Sequence, residues 1–480
     1  MTGVHFSFFN PDQIRLLEDK TLGLLADQGV RLDHHPEMFR LLKEAGAQVE
    51  EASGQVRFPR EMIRRSLDQA PKEFVLGARG ETRSLPLPRP DKTFYARSGT
   101  GAHGWIEPET GHYRKVTLDD LAGWARLVGR LEEISFCPFL FPSDAPPAAA
   151  DLHALATLFK NTDKHLWVQP YSAQSVAYLI RMAAAVAGGQ KALAANPLVS
   201  FIACSLSPRA FKLMDLEIIL SSARSSLPIH ACSLPGAAGT APATMPGVII
   251  LAAMEILAMV AMAQAVAPGS PVVACPIIFS TDMRTGRSLQ SSLEAMKGAS
   301  GAIQFIKAAF GLPTHNYGTG SDSPLVDGQS MSERAMLTTL MALSGLDILG
   351  GAGQLEVATA VSPLQLLVDN EVLAMARQIL TGHDLNQDHL ALELIAETPP
   401  GNHFLTSRHT LAHCRDFFGP MNFTRSARES WEKQGRQELM DRVLDNYRAL
   451  EALEEPAPLE SGLAQEVDRI VKAAGQKLGG

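Results

Sequence analysis

Between residues 93 and 350 eight short β-prone runs recur, most of them followed by a helical stretch. The runs are "TFYARS" (93–98), "EISFCPF" (133–139), "HLWVQP" (165–170), "LVSFIAC" (198–204), "LPIHACS" (227–233), "PVVACPII" (271–278), "PTHNY" (313–317) and "LDILG" (346–350). Helical segments such as "TLDDLAGWARLVGRL" (117–131) and "AQSVAYLIRMAAAVAG" (173–188) lie between them. A strand that returns to the same sheet after a crossover helix runs parallel to its predecessor. Eight such units predict an α/β chain of the (β/α)8 TIM-barrel type, with N-terminal and C-terminal helical additions. A doubly wound open sheet is the competing arrangement, and no GxxxxGK[ST] phosphate loop occurs to support it.

This rhythm divides the chain into three parts. Residues 1–92 read as a mainly helical region, with Asn10 as an N-cap before Pro11 and a proline-rich boundary at "SLPLPRPDK" (84–92). Residues 93–385 carry the barrel, and 386–480 form a helical extension containing the charged amphipathic run "ESWEKQGRQELMDRVLDNYRALEALEEP". The stretch "GVIILAAMEILAMVAMAQAV" (247–266) nearly reaches membrane-span length. It carries Glu255 and Gln264, so a helix inside a large soluble core is expected, with Glu255 paired to a buried donor.

The net charge of −8 leaves no basic surplus for phosphates, which excludes a nucleic-acid partner. The first twenty residues lack a basic start followed by an apolar core, so no signal peptide or membrane anchor is expected. Cys137, Cys204, Cys232, Cys275 and Cys414 are scattered and odd in number. They read as the reduced thiols of a cytoplasmic protein.

In such a barrel the loops after the strands build the active site. Those loops hold no Ser/His/Asp order, no HExxH and no carboxylate cluster, so no acid–base catalytic residue is expected. They are rich in aromatics instead: Tyr95, Phe136, Phe139, Phe141, Trp167, Tyr171, Phe201, Phe279 and Tyr317 lie near strand ends. Aromatic faces attract cations by about 0.5–2 kcal/mol each, so a few of these rings could hold a quaternary ammonium, the rest being core. The segment "GLPTHNYGTGSDSP" (311–324) adds His315, Asn316, Tyr317 and Asp322 as ligand-binding candidates, Asp322 equally serving as a helix cap. Asp282 and Arg284 follow the sixth run and suit a polar group or a cap. His230 and Cys232 lie two apart on one strand and face the same side, with Cys275 on the next, which would suit zinc. With no CxxC or fixed family spacing to support a metal, three buried small residues in a tight barrel are the plainer reading.

Four segments carry a resemblance: "IEPETGHYRKVTLDDLAGWARLV" (106–128), "LPGAAGTAPATMPGVIILAAMEILAMVAMAQAVAPGSPVV" (234–273), "GLPTHNYGTGSDSPLVDGQS" (311–330) and "SPLQLLVDNEVLAMAR" (362–377). They resemble the trimethylamine methyltransferase family in its members without pyrrolysine. The resemblance implies a TIM barrel that moves a methyl group from a quaternary amine, glycine betaine first, to cob(I)alamin. The corrinoid is carried by a separate partner protein, and no bound metal is expected. "THN" at 314–316 departs from a basic, glycine-bearing stretch of many relatives. The binding set expected on this reading is Tyr95, Phe139, Trp167, Phe201, Phe279, Arg284, His315, Asn316, Tyr317 and Asp322, in a homo-oligomer. Rings would hold the cation, while His315, Asn316 or Arg284 would take a carboxylate. Two alternatives stay open: a zinc-dependent corrinoid methyltransferase using His230, Cys232 and Cys275, and a non-catalytic betaine-binding barrel.

Overall fold

A computed structural model describes residues 6–80, 82–453 and 459–478. Its central sheet has eight strands, seven within the expected runs and the last ending two residues past its run: β1 (Tyr95–Ser98), β2 (Ile134–Pro138), β3 (His165–Val168), β4 (Val199–Cys204), β5 (Ile229–Ser233), β6 (Val272–Pro276), β7 (His315–Tyr317) and β8 (Ile348–Ala352). Neighbours pair in the order β6-β5-β4-β3-β2-β1-β8-β7, all parallel. A parallel bridge between Ala274 and Thr314 joins β6 to β7, and the Ala274 N–H donates to the Pro313 carbonyl at 2.8 Å. The sheet therefore closes on itself and exposes no edge.

Every barrel strand is buried on both faces, so side-chain alternation separates two cores rather than a core from water. Ala96, Cys137, Leu166, Phe201, Ala231, Ala274 and Leu349 point outward and pack with the surrounding helices. Tyr95, Phe136, Trp167, Ile202, Cys232, Val273, Cys275, Tyr317 and Ile348 point inward and form a separate lumenal cluster. A hairpin of Phe74–Leu76 and Leu85–Leu87 plugs the amino-terminal end, where Leu76, Leu85 and Leu87 join that cluster.

The apolar stretch forms the helix Met245–Val266, buried almost throughout among other helices of the fold. The N-terminal helices Pro11–Asp27 and Arg60–Gln69 pack against it. The first begins as anticipated, with Pro11 at its first turn and Asn10 in a reciprocal capping box with Gln13. The described residues before 93 and the barrel thus share one continuous core.

Glu255 explains how a carboxylate survives on that helix. It is fully buried and accepts from the hydroxyls of Ser205, Ser207 (2.8 Å) and Ser233 (2.6 Å) and from the Arg209 N–H (2.8 Å). One carboxylate thereby ties the loops that follow β4 and β5 to the helix.

In the C-terminal part, Leu439–Glu451 packs on Pro363–Leu380, and Ser461–Leu478 packs on Ala150–Asn161 and Ser175–Ala187. The loop after β1 reads "GTGAHG" but runs into an antiparallel strand pair, Gly104–Ile106 with Tyr113–Lys115. No helix N-terminus follows it directly, so it is not a dinucleotide-binding turn.

Candidate functional site

The lumen of the barrel holds a side chain that sequence reasoning missed. Arg97, the third residue of β1, points inward and is completely buried. Its guanidinium reaches Trp167 on β3 and Tyr317 on β7, with Cζ 4.4 Å and 4.9 Å from the ring centroids. Gly350 on β8 makes the room, since a Cβ there would lie 2.6 Å from Cζ. The rings of Trp167 and Tyr317 are therefore occupied by the protein's own cation.

A directed chain of hydrogen bonds fixes this arginine. His165 Nδ1 lies 2.7 Å from the Gly77 carbonyl, so Nδ1 carries the proton and Nε2 is bare. The Ser200 hydroxyl, 2.8 Å away, donates to that Nε2. Its oxygen then accepts from His230 Nε2, at 3.0 Å, which leaves His230 Nδ1 bare. His315 Nδ1 faces it at 3.3 Å, and His315 Nε2 accepts from Arg97 Nε at 2.7 Å. The chain runs from Arg97 through His315, His230, Ser200 and His165 to Gly77, each group donating in the same sense. Burial holds His165 at about 4 and lowers His230 and His315 well below the usual range, so all three rings are neutral at pH 7.

Cys204, Cys232 and Cys275 stand in register on β4, β5 and β6. A shared hydrogen bond with Cys232, then burial, pushes the Cys204 thiol far up; burial does the same to Cys232. His230, Cys275 and His315 bring three ligand atoms within 4.8 Å of one another, whereas Cys232 is not part of that group. The surroundings fit a metal poorly. His315 has one lone pair, and Arg97 already holds it, so ligation through Nδ1 would turn an N–H against the guanidinium. A buried cation beside the site also repels a second one. Zinc on His230, Cys232 and Cys275 is not the arrangement this geometry favours.

Above the lumen a cavity of about 640 Å³ lies between the loops that follow β5, β6 and β8, at the carboxyl end of the strands. Leu234, Phe279, Arg287, Glu356, Val357 and Thr359 line it. Leu234 and Phe279 also pack on the lumenal cluster, so they form its floor. Glu356, Val357 and Ala358 all have left-handed backbone, with φ of 54°, 56° and 66°. Such conformations cost side-chain-bearing residues about 1–3 kcal/mol each and concentrate at functional rims.

The expected binding residues fall into distinct places. Phe279 lines the cavity, while Trp167, His315 and Tyr317 lie beneath it around Arg97. Tyr95 also faces the lumen, but as the first residue of β1 it sits at the plugged end, with Arg89 over its ring. Phe139 and Phe201 are corrected outward: both pack in the layer between sheet and helices, because β4 directs Ser200 and Ile202 inward and Phe201 between them outward. Arg284 is corrected to the surface, with 91% of its side chain exposed. Arg287, three residues on, takes the place at the cavity. Asn316 donates to the Pro276 carbonyl at 2.6 Å and bridges β7 to β6. Asp322 accepts the N–H groups of Gln290 (2.8 Å) and Ser291 (3.0 Å), pinning two loops, while Asp327 caps the helix Gly328–Leu343.

The signal for Arg97 was present as an arginine inside an apolar strand, at the same parity as Tyr95. Ser200, His230 and His315 repeat the pattern of a polar residue at an inward position.

These features define a closed eight-stranded α/β barrel with a cavity at the carboxyl ends of its strands. The model for the trimethylamine methyltransferase (MTTB) family matches residues 3–478, and the chain belongs to that family. It is 27% identical to trimethylamine methyltransferase MttB1 of Methanosarcina acetivorans, over 99% of this chain and 96% of that protein. It is equally 27% identical to a glycine betaine methyltransferase of Desulfitobacterium hafniense, over 99% of this chain and 98% of that one. A solved hydroxylamine complex of MtmB shares the fold, with a TM-score of 0.52 and 14% identity, covering 98% of this chain and 92% of that one. The barrel expected from the strand rhythm and from the resemblance is thus confirmed, as is a methyltransferase family.

Proposed function

We propose that this protein demethylates a quaternary amine, glycine betaine first, passing the methyl group to a corrinoid carried by a separate protein. The observation that carries the reading is likeness along the whole chain to trimethylamine and glycine betaine methyltransferases, joined to a barrel centre without a poised acid or base. A quaternary nitrogen leaves as a neutral amine, so the departing group needs no proton. The three lumenal histidines are neutral and committed to hydrogen bonds, in keeping with that requirement.

The cavity's volume suits a small amine and excludes a macrocycle, which would meet the substrate from above the rim. The rim is open there, since Thr240, Arg287 and Ser288 are exposed. The corrinoid supplies cobalt as methyl acceptor when its protein docks. This chain's part is to bind, orient and dry the amine: Phe279 offers a ring, and Glu356 offers a carboxylate to the cation. Five free cysteines fit a reducing, cytoplasmic setting.

A single-turnover assay with reduced corrinoid protein and a panel of methylated amines tests the reading. Methylcobalamin formed with glycine betaine supports it. Absence of methyl transfer from every quaternary amine, with binding retained, would replace it by the non-catalytic betaine-binding barrel.

A further inference from the structure

After the last barrel helix the chain builds a stretch that burial does not hold together. The helices Gln387–Leu390, Leu392–Glu397, Arg408–His413 and Arg428–Lys433 have four to six residues each, and none of those residues is buried. Helices that short are marginal in water. Leu405, Leu411 and Phe417 in the same stretch are largely exposed. Glu371 pins the far end by accepting the N–H groups of Asn422 (2.7 Å) and Phe423 (3.2 Å). Residues 385–417 lack such an anchor in apolar packing, and stretches without a core are commonly held by a cross-link.

Two of these helices turn metal-ligand side chains toward one another. His409 and His413 are four apart on Arg408–His413, a spacing that puts both imidazoles on one helix face. Asp388 comes from Gln387–Leu390. A carboxylate oxygen of Asp388 and one ring nitrogen of each histidine lie within 4.8 Å of one another. His413 Nε2 is 3.0 Å from Asp388 Oδ2. Ligand atoms of a tetrahedral ion, with bonds of about 2.0–2.2 Å, stand about 3.3–3.6 Å apart, so this pair is already near that spacing. His409 faces the same place, its ring centroid 4.5 Å from that of His413 and its Nε2 3.0 Å from the Asp388 carbonyl. His389 adds a third imidazole, 5.0 Å from His413 between centroids.

The support behind His413 is also that of a metal ligand. Its Nδ1 lies 2.8 Å from Asp416 Oδ2. A carboxylate on the far nitrogen of an imidazole fixes the tautomer and aims the near nitrogen at an ion. An imidazolium set between two carboxylates would account for His413 but not for the imidazole of His409 beside it. Among the described residues no guanidinium bonds to Asp388, His409 or His413, in contrast to His315 in the lumen.

We propose that Asp388, His409 and His413 bind a divalent transition cation, zinc first, with water or His389 completing the shell. Asp416 is the positioning residue that orients His413. Two imidazoles and one carboxylate suit zinc better than calcium or magnesium, which take oxygen ligands. The ion cross-links the helix Gln387–Leu390 to Arg408–His413 and supplies the restraint that a core would give elsewhere. The site is separate from the lumenal group of His230, Cys275 and His315 and takes no part in methyl transfer.

The test uses the full-length protein, stripped with a chelator, dialysed and titrated with zinc chloride. Metal analysis gives the stoichiometry and calorimetry the affinity, and Co2+ in place of zinc reports the coordination by its visible spectrum. One zinc per chain is expected. His409→Ala and His413→Ala should lose the ion, and Asp416→Asn should keep the stoichiometry while binding about 10–100-fold more weakly. His403→Ala, an exposed histidine of the same stretch outside the group, should bind as the wild type does. Tryptic cleavage after Arg408 and Arg415, both exposed, should slow roughly tenfold when zinc stands at ten times its dissociation constant. A wild-type chain without stoichiometric zinc overturns the proposal, as does an ion that both histidine variants retain, which must then sit elsewhere. Equal weakening by His403→Ala overturns it as well, since that marks adventitious binding by surface histidines. Zinc that binds through His409 and His413 but leaves cleavage unchanged overturns the cross-linking role.

Discussion

Replacing Glu255 by alanine isolates what one buried carboxylate does for the mouth of the barrel. Its acceptors serve three hydroxyls and one backbone N–H. Ser207 and Arg209 are partly exposed, so water can take over their bonds. Ser205 and Ser233 are buried and cannot be rescued in this way. A buried donor left without an acceptor costs about 1–3 kcal/mol; Ser205 keeps a longer contact to the Cys232 carbonyl at 3.4 Å and sits at the low end, Ser233 at the high end, a loss of about 4 kcal/mol for the pair. For a chain of 480 residues, unfolding entropy near 2.1 cal/mol/K per residue amounts to about 1 kcal/mol/K, so Tm should fall by about 4 °C. Differential scanning calorimetry gives the shift. The loop after β5 supplies Leu234 to the cavity floor, so glycine betaine turnover should fall as well. A variant melting within about 1 °C of wild type, with full turnover, would show that the serines find partners elsewhere and that the carboxylate is not the tie described.

Other expectations concern the lumen and its supports. Gly350→Ala places a Cβ 2.6 Å from Arg97 Cζ, and should destabilise by about 1–3 kcal/mol; an unchanged Tm would show that the guanidinium can shift freely. Asp215, on the helix Leu213–Arg224, is held at about 6 by burial, above its unfolded value. The folded state therefore binds the proton more tightly, and this group's contribution is full below about pH 4 and is lost as pH rises through about 6. Asp215→Asn should remove that slope from a plot of Tm against pH, and an identical slope would refute the assignment. Methyl transfer itself should be flat between about pH 6 and 8, because the lumenal histidines are already neutral there; a bell-shaped rate profile for the transfer step would refute that neutrality.

Much of this architecture was readable from the residues in order. Strand length, flanking turns and the alternation with helices placed all eight strands, because those signals are local and repeat eight times. The burial of Met245–Val266 followed from a glutamate and a glutamine on an otherwise apolar run. What could not be read was direction. In a parallel barrel both faces of a strand are dry, so Ser200 and Phe201, or Ala96 and Arg97, carry no contrast between water and core to say which points inward. Phe139 and Phe201 were placed with the binding residues for that reason, and Arg97 was passed over. Arg284 and Arg287 lie three apart in one loop, and only the loop's path past the cavity separates the exposed cation from the lining one.

The sequence by itself determined the barrel and its family, since periodicity and the four resembling segments are properties of the chain in one dimension. Closure of the sheet decided the rest. It brought β1, β3 and β7 across a common lumen, stacked Arg97 between Trp167 and Tyr317, and aligned His315, His230, Ser200 and His165 in one chain. Residues as far apart as 97 and 315 meet only because the strands curve through a full circle, and a contact made by curvature leaves no trace in local spacing.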